Sequence, residues 1–489
     1  MSKKAQKQPT EKQQKQNPHN NVIIYSTWFF ALLFVAMIGY LSYFTATSKQ
    51  EMINNSYNSR QEILLSRNYR GSILSKDGEV LAETILDAEE NETRNYPYGS
   101  LFSHIVGYAS NGKMGVEALG NYYLINSNAP LSEKASNDLA GKKNPGDTIY
   151  TTLDVNLQEV ASDEMGIYKG AVVVTEVKTG KILALVSQPD FDPNEIADIW
   201  EKLVNNSQSS VLLNRATQGL YPPGSTFKIL TALEYIRENP TDYAQYHYEC
   251  AGAYRISDRK IQCYHGIKHG SVDLAKSFAK SCNSSFANIG MTLDRDRFGE
   301  TLNSFYFNSN LPLGFTHSKS SLSVSSDTSD AEMMQVSIGQ GSTLITPIHL
   351  NMITAAIANR GIMMKPYVMD RVVSSGGTII KSFQPESCGQ VVTQEEASIL
   401  TQLMAGVVES GTATTLKSDF YTAAGKTGSA EYNSNADSHA WFTGFAPVED
   451  PEIAVTIIIE GAGSGGDYAA PIAKRIFNAY FTGSAYGNF

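Results

Sequence analysis

The stretch Arg215-Ala216-Thr217-Gln218-Gly219-Leu220-Tyr221-Pro222-Pro223-Gly224-Ser225-Thr226-Phe227-Lys228 decides how the chain is read. Pro222-Pro223-Gly224 is turn chemistry. The apolar-periodic run that follows, 227–237, predicts a helix that stops before Pro240. Ser225 and Lys228 are three residues apart at the start of that helix, so their side chains share a face. A serine hydroxyl becomes a good nucleophile when a neighbouring base takes its proton. Lysine can be that base where burial or other cations disfavour its charge. A helix N-terminus at Ser225 also favours developing negative charge. The pattern suits acyl transfer.

Taken singly, such patterns carry little. Ser-x-x-Lys also occurs at Ser110–Lys113 and Ser277–Lys280, Lys-Thr-Gly at Lys178 and Lys426, and Ser-x-Asn at places such as Ser56–Asn58 and Ser66–Asn68. One ordered set has the right flanks. Ser225 follows the Pro-Pro-Gly turn, Ser281-Cys282-Asn283 follows a helical run over 274–280, and Lys426-Thr427-Gly428 follows Ala423-Ala424-Gly425 and leads into an extended segment. Ser-x-x-Lys, Ser-x-Asn and Lys-Thr-Gly in that order are a known catalytic combination. Lys178-Thr179-Gly180 reads instead as a hairpin turn, and Ser277–Lys280 as helix packing.

Outward from these motifs, the segment from 151 to 489 begins with a helix over 153–165 and two strands, 171–177 and 182–186, joined at Lys178-Thr179-Gly180. It ends with strands over 440–445 and 453–459, around Glu449-Asp450-Pro451, and an amphipathic helix over 469–481. Strands at both ends enclose a largely helical middle. That order predicts an α+β domain whose central antiparallel sheet lies between helices. Residues 45–150 read as a smaller module with glycine turns at Lys76-Asp77-Gly78 and Asn111-Gly112, closed by the turn Asn144-Pro145-Gly146-Asp147.

The N-terminus differs from the rest. Residues 1–21 carry Lys3, Lys4, Lys7, Lys12 and Lys15 against Glu11 alone, with no apolar periodicity, and are expected to be a disordered cytoplasmic tail. Residues 22–44 contain no charged side chain and are long enough for one transmembrane helix. The lysines before the span place the N-terminus in the cytoplasm and the remainder outside it. The run is too long for a cleaved signal peptide, so an uncleaved anchor is expected. The formal charge of −10 argues against a nucleic-acid partner.

The four cysteines are Cys250, Cys263, Cys282 and Cys388. Cys250 and Cys263 could face each other on a hairpin, and a disulfide between them is left open. His247, His265 and His269 are near, but the spacing matches no standard zinc cluster, so no metal is expected. No cofactor is expected either.

Residues from about 150 onward resemble a penicillin-binding transpeptidase domain, which has a serine β-lactamase-like fold. The resemblance covers the 215–228 segment, Ser337-Ile338-Gly339-Gln340-Gly341 with Thr346-Pro347, and His439-Ala440-Trp441-Phe442-Thr443-Gly444-Phe445-Ala446-Pro447. Arg70-Gly71-Ser72-Ile73-Leu74 and Gly115-Val116-Glu117 are similar to the pedestal of monofunctional, class B members. Cys282 stands where the family commonly has Asp. The resemblance implies a peptidoglycan D,D-transpeptidase that cross-links stem peptides through a Ser225 acyl-enzyme and is acylated by β-lactams. It implies Lys228 as base, Ser281 and Lys426 as proton path, and Asn283 on the peptide amide. Thr427, Gly428 and Ser429 then bind substrate, and the backbone N–H groups of Ser225 and Ser429 form the oxyanion hole. Gly339 and Gly341 are open between turn and site, and Trp441 is read as core.

Other functions are weighed beside this one. The module before residue 150 is too small for a second, polymerising domain. The motifs do not separate a transpeptidase from a D,D-carboxypeptidase. A non-catalytic β-lactam sensor and a scaffold of the division or elongation machinery are further alternatives, the sensor weakened by the short cytoplasmic tail. A glycosyltransferase of the cell-wall machinery is the expected protein partner.

Overall fold

The computed structural model describes residues 18–54, 60–206, 209–256, 259–432 and 437–486. The expectation for the tail therefore lies, over residues 1–17, outside the described residues. The chain divides into two compact units, 1–61 and 62–489. In the first, a helix runs from Pro18 to Asn54, and its 24-residue segment Asn21–Phe44 is long and apolar enough to cross a membrane.

In the second unit, the central sheet has five strands, all antiparallel. In spatial order they are Ala424–Ala430, His439–Ala446, Ile453–Ile459, Gly170–Glu176 and Ile182–Gln188. Both ends of the expected domain thus supply the sheet. Every residue of Ile453–Ile459 and of His439–Ala446 is buried, so both faces are covered and strict polar alternation is absent. The helix Pro347–Ala358 packs across one face, where its Asn351 amide donates to the carbonyls of Val173 and Ala454. The helices Val155–Met165 and Ala469–Thr482 pack on each other and cover the second face. Asp154 starts the first of these by accepting from Leu157 N–H.

The expected elements appear with ends shifted by one or two residues, as fraying and capping allow. One difference concerns the nucleophile segment. Gly224–Phe227 forms a 3₁₀ turn, and the α-helix proper is Lys228–Glu238.

A second, six-stranded sheet runs Ile379–Ser382, Met369–Val373, Thr148–Thr151, Ile73–Leu74, Val80–Leu86 and Glu92–Asn95. Thr148–Thr151, where the sequence suggests a boundary, pairs with Met369–Val373 on one side and Ile73–Leu74 on the other. Beside this sheet the two pedestal motifs meet. Arg70 and Arg94 both bridge to the fully buried Glu117 carboxylate, at 2.5 and 2.8 Å, and Arg70 also donates to Asn121. Gly71 is glycine because a Cβ there would lie 2.1 Å from the Asp147 carbonyl oxygen.

Candidate active site

The 3₁₀ turn Gly224–Phe227 lies against the edge strand Ala424–Ala430, and the approach is close because two glycines permit it. Gly224 has φ +54 and faces the Ser429 carbonyl, while a Cβ on Gly428 would press on the Pro223 carbonyl oxygen at 3.0 Å and on Trp441. Trp441 is fully buried, as expected of core, and its indole N–H donates to the Pro222 carbonyl at 3.0 Å. Ser225, half-buried, sits at this junction.

Lys228 is the centre of the site. Its Nζ lies 3.1 Å from Ser225 Oγ, 2.8 Å from the Ser281 carbonyl, 3.2 Å from Ser281 Oγ and 2.6 Å from Asn283 Oδ1. The Ser281 carbonyl and Asn283 Oδ1 can only accept. A neutral amine that gives its two N–H bonds to them keeps its lone pair for a hydroxyl. Burial lowers the Lys228 pKa to about 7, although thiolate charge at Cys282 or Cys263 would act in the opposite direction. Asn283 is oriented by its own amide, which donates to the Gln262 carbonyl at 3.0 Å.

Ser281 links the two lysines. Lys426 Nζ donates to Ser281 Oγ at 2.9 Å and to the Thr427 carbonyl at 3.1 Å. Burial first, and the Lys228 charge second, hold Lys426 well below the usual lysine range. Ser281 has φ +55, a left-handed conformation that costs a non-glycine residue about 1–3 kcal/mol and recurs at functional sites. It turns the hydroxyl and the carbonyl of one residue toward the same amine.

All eight expected site residues therefore fall in two groups. Ser225, Lys228, Ser281, Asn283 and Lys426 form one hydrogen-bonded chain. Thr427, Gly428 and Ser429 follow Lys426 on the edge strand. Gly339 does more than turn. At φ +73, a Cβ would lie 2.1 Å from the Gly224 carbonyl oxygen, and its own carbonyl accepts from Gly224 N–H. Gly341, also at φ +73, has only the Gln335 side chain close to it. The competing motifs behave as turns and packing: Lys178 pairs with Asp450, and Ser277 Oγ accepts from Ser285.

Three participants were not foreseen. Thr412 shares a 2.5 Å hydrogen bond with Thr427 across the edge strand. Glu460 accepts from both Arg215 and Tyr221, and so ties the nucleophile segment to the sheet. Gln262 holds Asn283. None lies in a motif, and each acts through a contact distant in sequence.

Comparison with known proteins bears on the family and the fold. The profile described as "Penicillin binding protein transpeptidase domain" matches residues 170–478, and "Penicillin binding protein A dimerisation domain" matches residues 70–149. The chain is 32% identical to the peptidoglycan D,D-transpeptidase PbpA of Mycolicibacterium smegmatis, over 86% of this chain and 91% of that one. It is 30% identical to the peptidoglycan D,D-transpeptidase MrdA of Acinetobacter baumannii, over 80% of this chain and 66% of the other. Among solved structures, penicillin-binding protein A of M. tuberculosis, as a ceftriaxone acyl-enzyme complex, superposes with a TM-score of 0.78. There the identity is 29%, and the match covers 85% of this chain and 98% of that one.

Proposed function

The chain belongs to the penicillin-binding protein transpeptidase family, and from that premise we propose that it is a peptidoglycan D,D-transpeptidase working through a Ser225 acyl-enzyme. Lys228 takes the Ser225 proton as Oγ bonds to the carbonyl carbon of the penultimate D-alanine in a stem peptide. The backbone N–H groups of Ser225 and Ser429 receive the oxyanion; one such donor is worth about 10²–10³ in rate. The carbon–nitrogen bond breaks, and the departing D-alanine amine takes its proton through Ser281, which Lys228 and Lys426 both reach. An amine of a neighbouring stem peptide then attacks the ester, its proton returns to Ser225, and the cross-link is complete. Asn283 holds the peptide amide, and Thr427 and Ser429 bind the terminal carboxylate. β-Lactams acylate Ser225 because they mimic the D-alanyl-D-alanine end.

The observation that carries this reading is the 3.1 Å contact between Ser225 Oγ and a fully buried lysine whose pKa falls to about 7. The proposal extends to topology: a cytoplasmic tail over 1–21, an anchor over 22–44, a pedestal over 45–150 and a catalytic domain over 151–489 outside the membrane. A cell-wall glycosyltransferase is its partner. The test incubates the protein with pentapeptide-bearing lipid-linked polymer and analyses the products by mass. Cross-linked muropeptides support transpeptidation; only trimmed tetrapeptides assign a carboxypeptidase instead.

A further inference from the structure

Beside the second catalytic motif, the excursion Tyr248–Val272 stands out for what it lacks. It consists of two small sheets, Tyr248–Cys250 paired with Gly270–Val272 and Ala253–Ile256 paired with Arg259–Gln262. Among its described residues, the buried apolar side chains are Cys250, Cys263 and Val272, and the two cysteines form a separate small cluster with Cys282. A segment with so little apolar burial needs another fastening.

The three sulfurs and one imidazole are arranged to provide it. Cys250 Sγ and Cys263 Sγ are 3.7 Å apart, Cys263 Sγ and Cys282 Sγ are 3.7 Å apart, and Cys250 Sγ is 3.4 Å from His269 Nδ1. All four ligand atoms lie within 4.8 Å of one another. A tetrahedral zinc ion holds sulfur at about 2.3 Å and imidazole nitrogen at about 2.0–2.1 Å, which separates neighbouring sulfurs by about 3.8 Å and sulfur from nitrogen by about 3.5 Å. These three spacings match those edges, and the other three pairs of ligand atoms stay within 4.8 Å. The four cysteines are free thiols, so these sulfurs are not committed to a disulfide. Ser284 completes the surroundings as outer partners of metal-bound thiolates do: its hydroxyl lies 3.0 Å from Cys250 Sγ and 3.4 Å from the other two sulfurs, and its N–H donates to Cys263 Sγ at 3.5 Å.

We propose that Cys250, Cys263, His269 and Cys282 bind one zinc ion, which clamps the excursion to the start of the helix Asn283–Thr292. The site is structural, with four protein ligands and no open position. Its connection to the chemistry is direct. Cys282 lies between Ser281 and Asn283, and Gln262, next to Cys263, supplies the carbonyl that orients Asn283. Zinc therefore positions Ser281 and Asn283 without touching substrate. The spacing escaped sequence reading because the ligands are separated by twelve, five and twelve residues, unlike the short pairs of common zinc motifs.

The test is elemental analysis of the full chain, purified in detergent with a histidine-free tag and without chelator or added metal. About one zinc per chain is expected, and it is retained in Cys388→Ser and lost in Cys263→Ser and His269→Ala. Replacement by cobalt should give the intense visible bands of a tetrahedral thiolate site. Stripping zinc should slow labelling of Ser225 by a fluorescent penicillin by about 10- to 100-fold, with recovery on adding zinc. Metal-free protein with a Cys250–Cys263 or Cys263–Cys282 disulfide overturns the proposal, as does a different metal or zinc retained in His269→Ala. Should a ligand variant fail to fold, the metal content of the native chain still decides. Zinc-loaded protein that resists penicillin would count against the acyl-enzyme reading and leave the metal site standing.

Discussion

Lys228 meets two acceptors that demand its protons and a serine hydroxyl that can donate one to it, and burial removes the solvent that would favour its charge. The base is the neutral form, so activity must rise with pH through the folded-state pKa. The rate of acylation by a fluorescent penicillin should climb roughly tenfold per pH unit below about 7 and level off above it. Lys228→Ala should lose about 10²–10⁴ in that rate and the pH dependence near 7 with it. A wild-type profile flat between pH 5 and 9 would remove Lys228 from the role of base.

At the scale of elements, the site depends on how closely a 3₁₀ turn, a glycine loop and an edge strand approach. Gly339 and Gly224 touch through their backbones, so the loop after the helix Asp330–Val336 acts as a backstop for the nucleophile turn. Gly339→Ala places a Cβ 2.1 Å from a carbonyl oxygen in a conformation alanine resists. The conformation alone costs about 1–3 kcal/mol, and the contact adds to it. The expected outcome is a lower melting temperature together with a lower acylation rate. Gly341→Ala meets only the movable Gln335 side chain and should retain most of the acylation rate, although its φ of +73 still carries strain. Equal losses in the two variants would show that the Gly224 contact is not what matters.

Across the whole second unit, the six-stranded sheet joins residues on both sides of position 150, so the pedestal and the catalytic part share one structure. Glu117 bridges two arginines inside it, and desolvation is outweighed there by the two guanidinium charges, which hold its carboxyl below the usual range. Glu117→Ala leaves both guanidiniums buried without their partner. Breaking such a pair costs about 3–5 kcal/mol. Thermal unfolding should show that loss, while the folded fraction should acylate at the native rate because the side-chain partners of Glu117, namely Arg70, Arg94 and Tyr96, are not among those of Lys228 or Lys426. A stable variant with slowed acylation would reverse this assignment.

The amino-acid sequence by itself determined the apolar helix long enough to cross a membrane, the helix and strand order, and the ordered motifs around Ser225, Ser281 and Lys426. Each is a local period or a short motif, and local rules decide them. Tertiary structure alone decided which hydroxyl bridges the two lysines, since Ser281 lies 53 positions from Lys228 and 145 from Lys426. It also decided that Arg70 meets Glu117, that Glu460 anchors the nucleophile segment, and that three cysteines and His269 converge. Those contacts follow from how distant segments pack around one sheet, which no local pattern encodes.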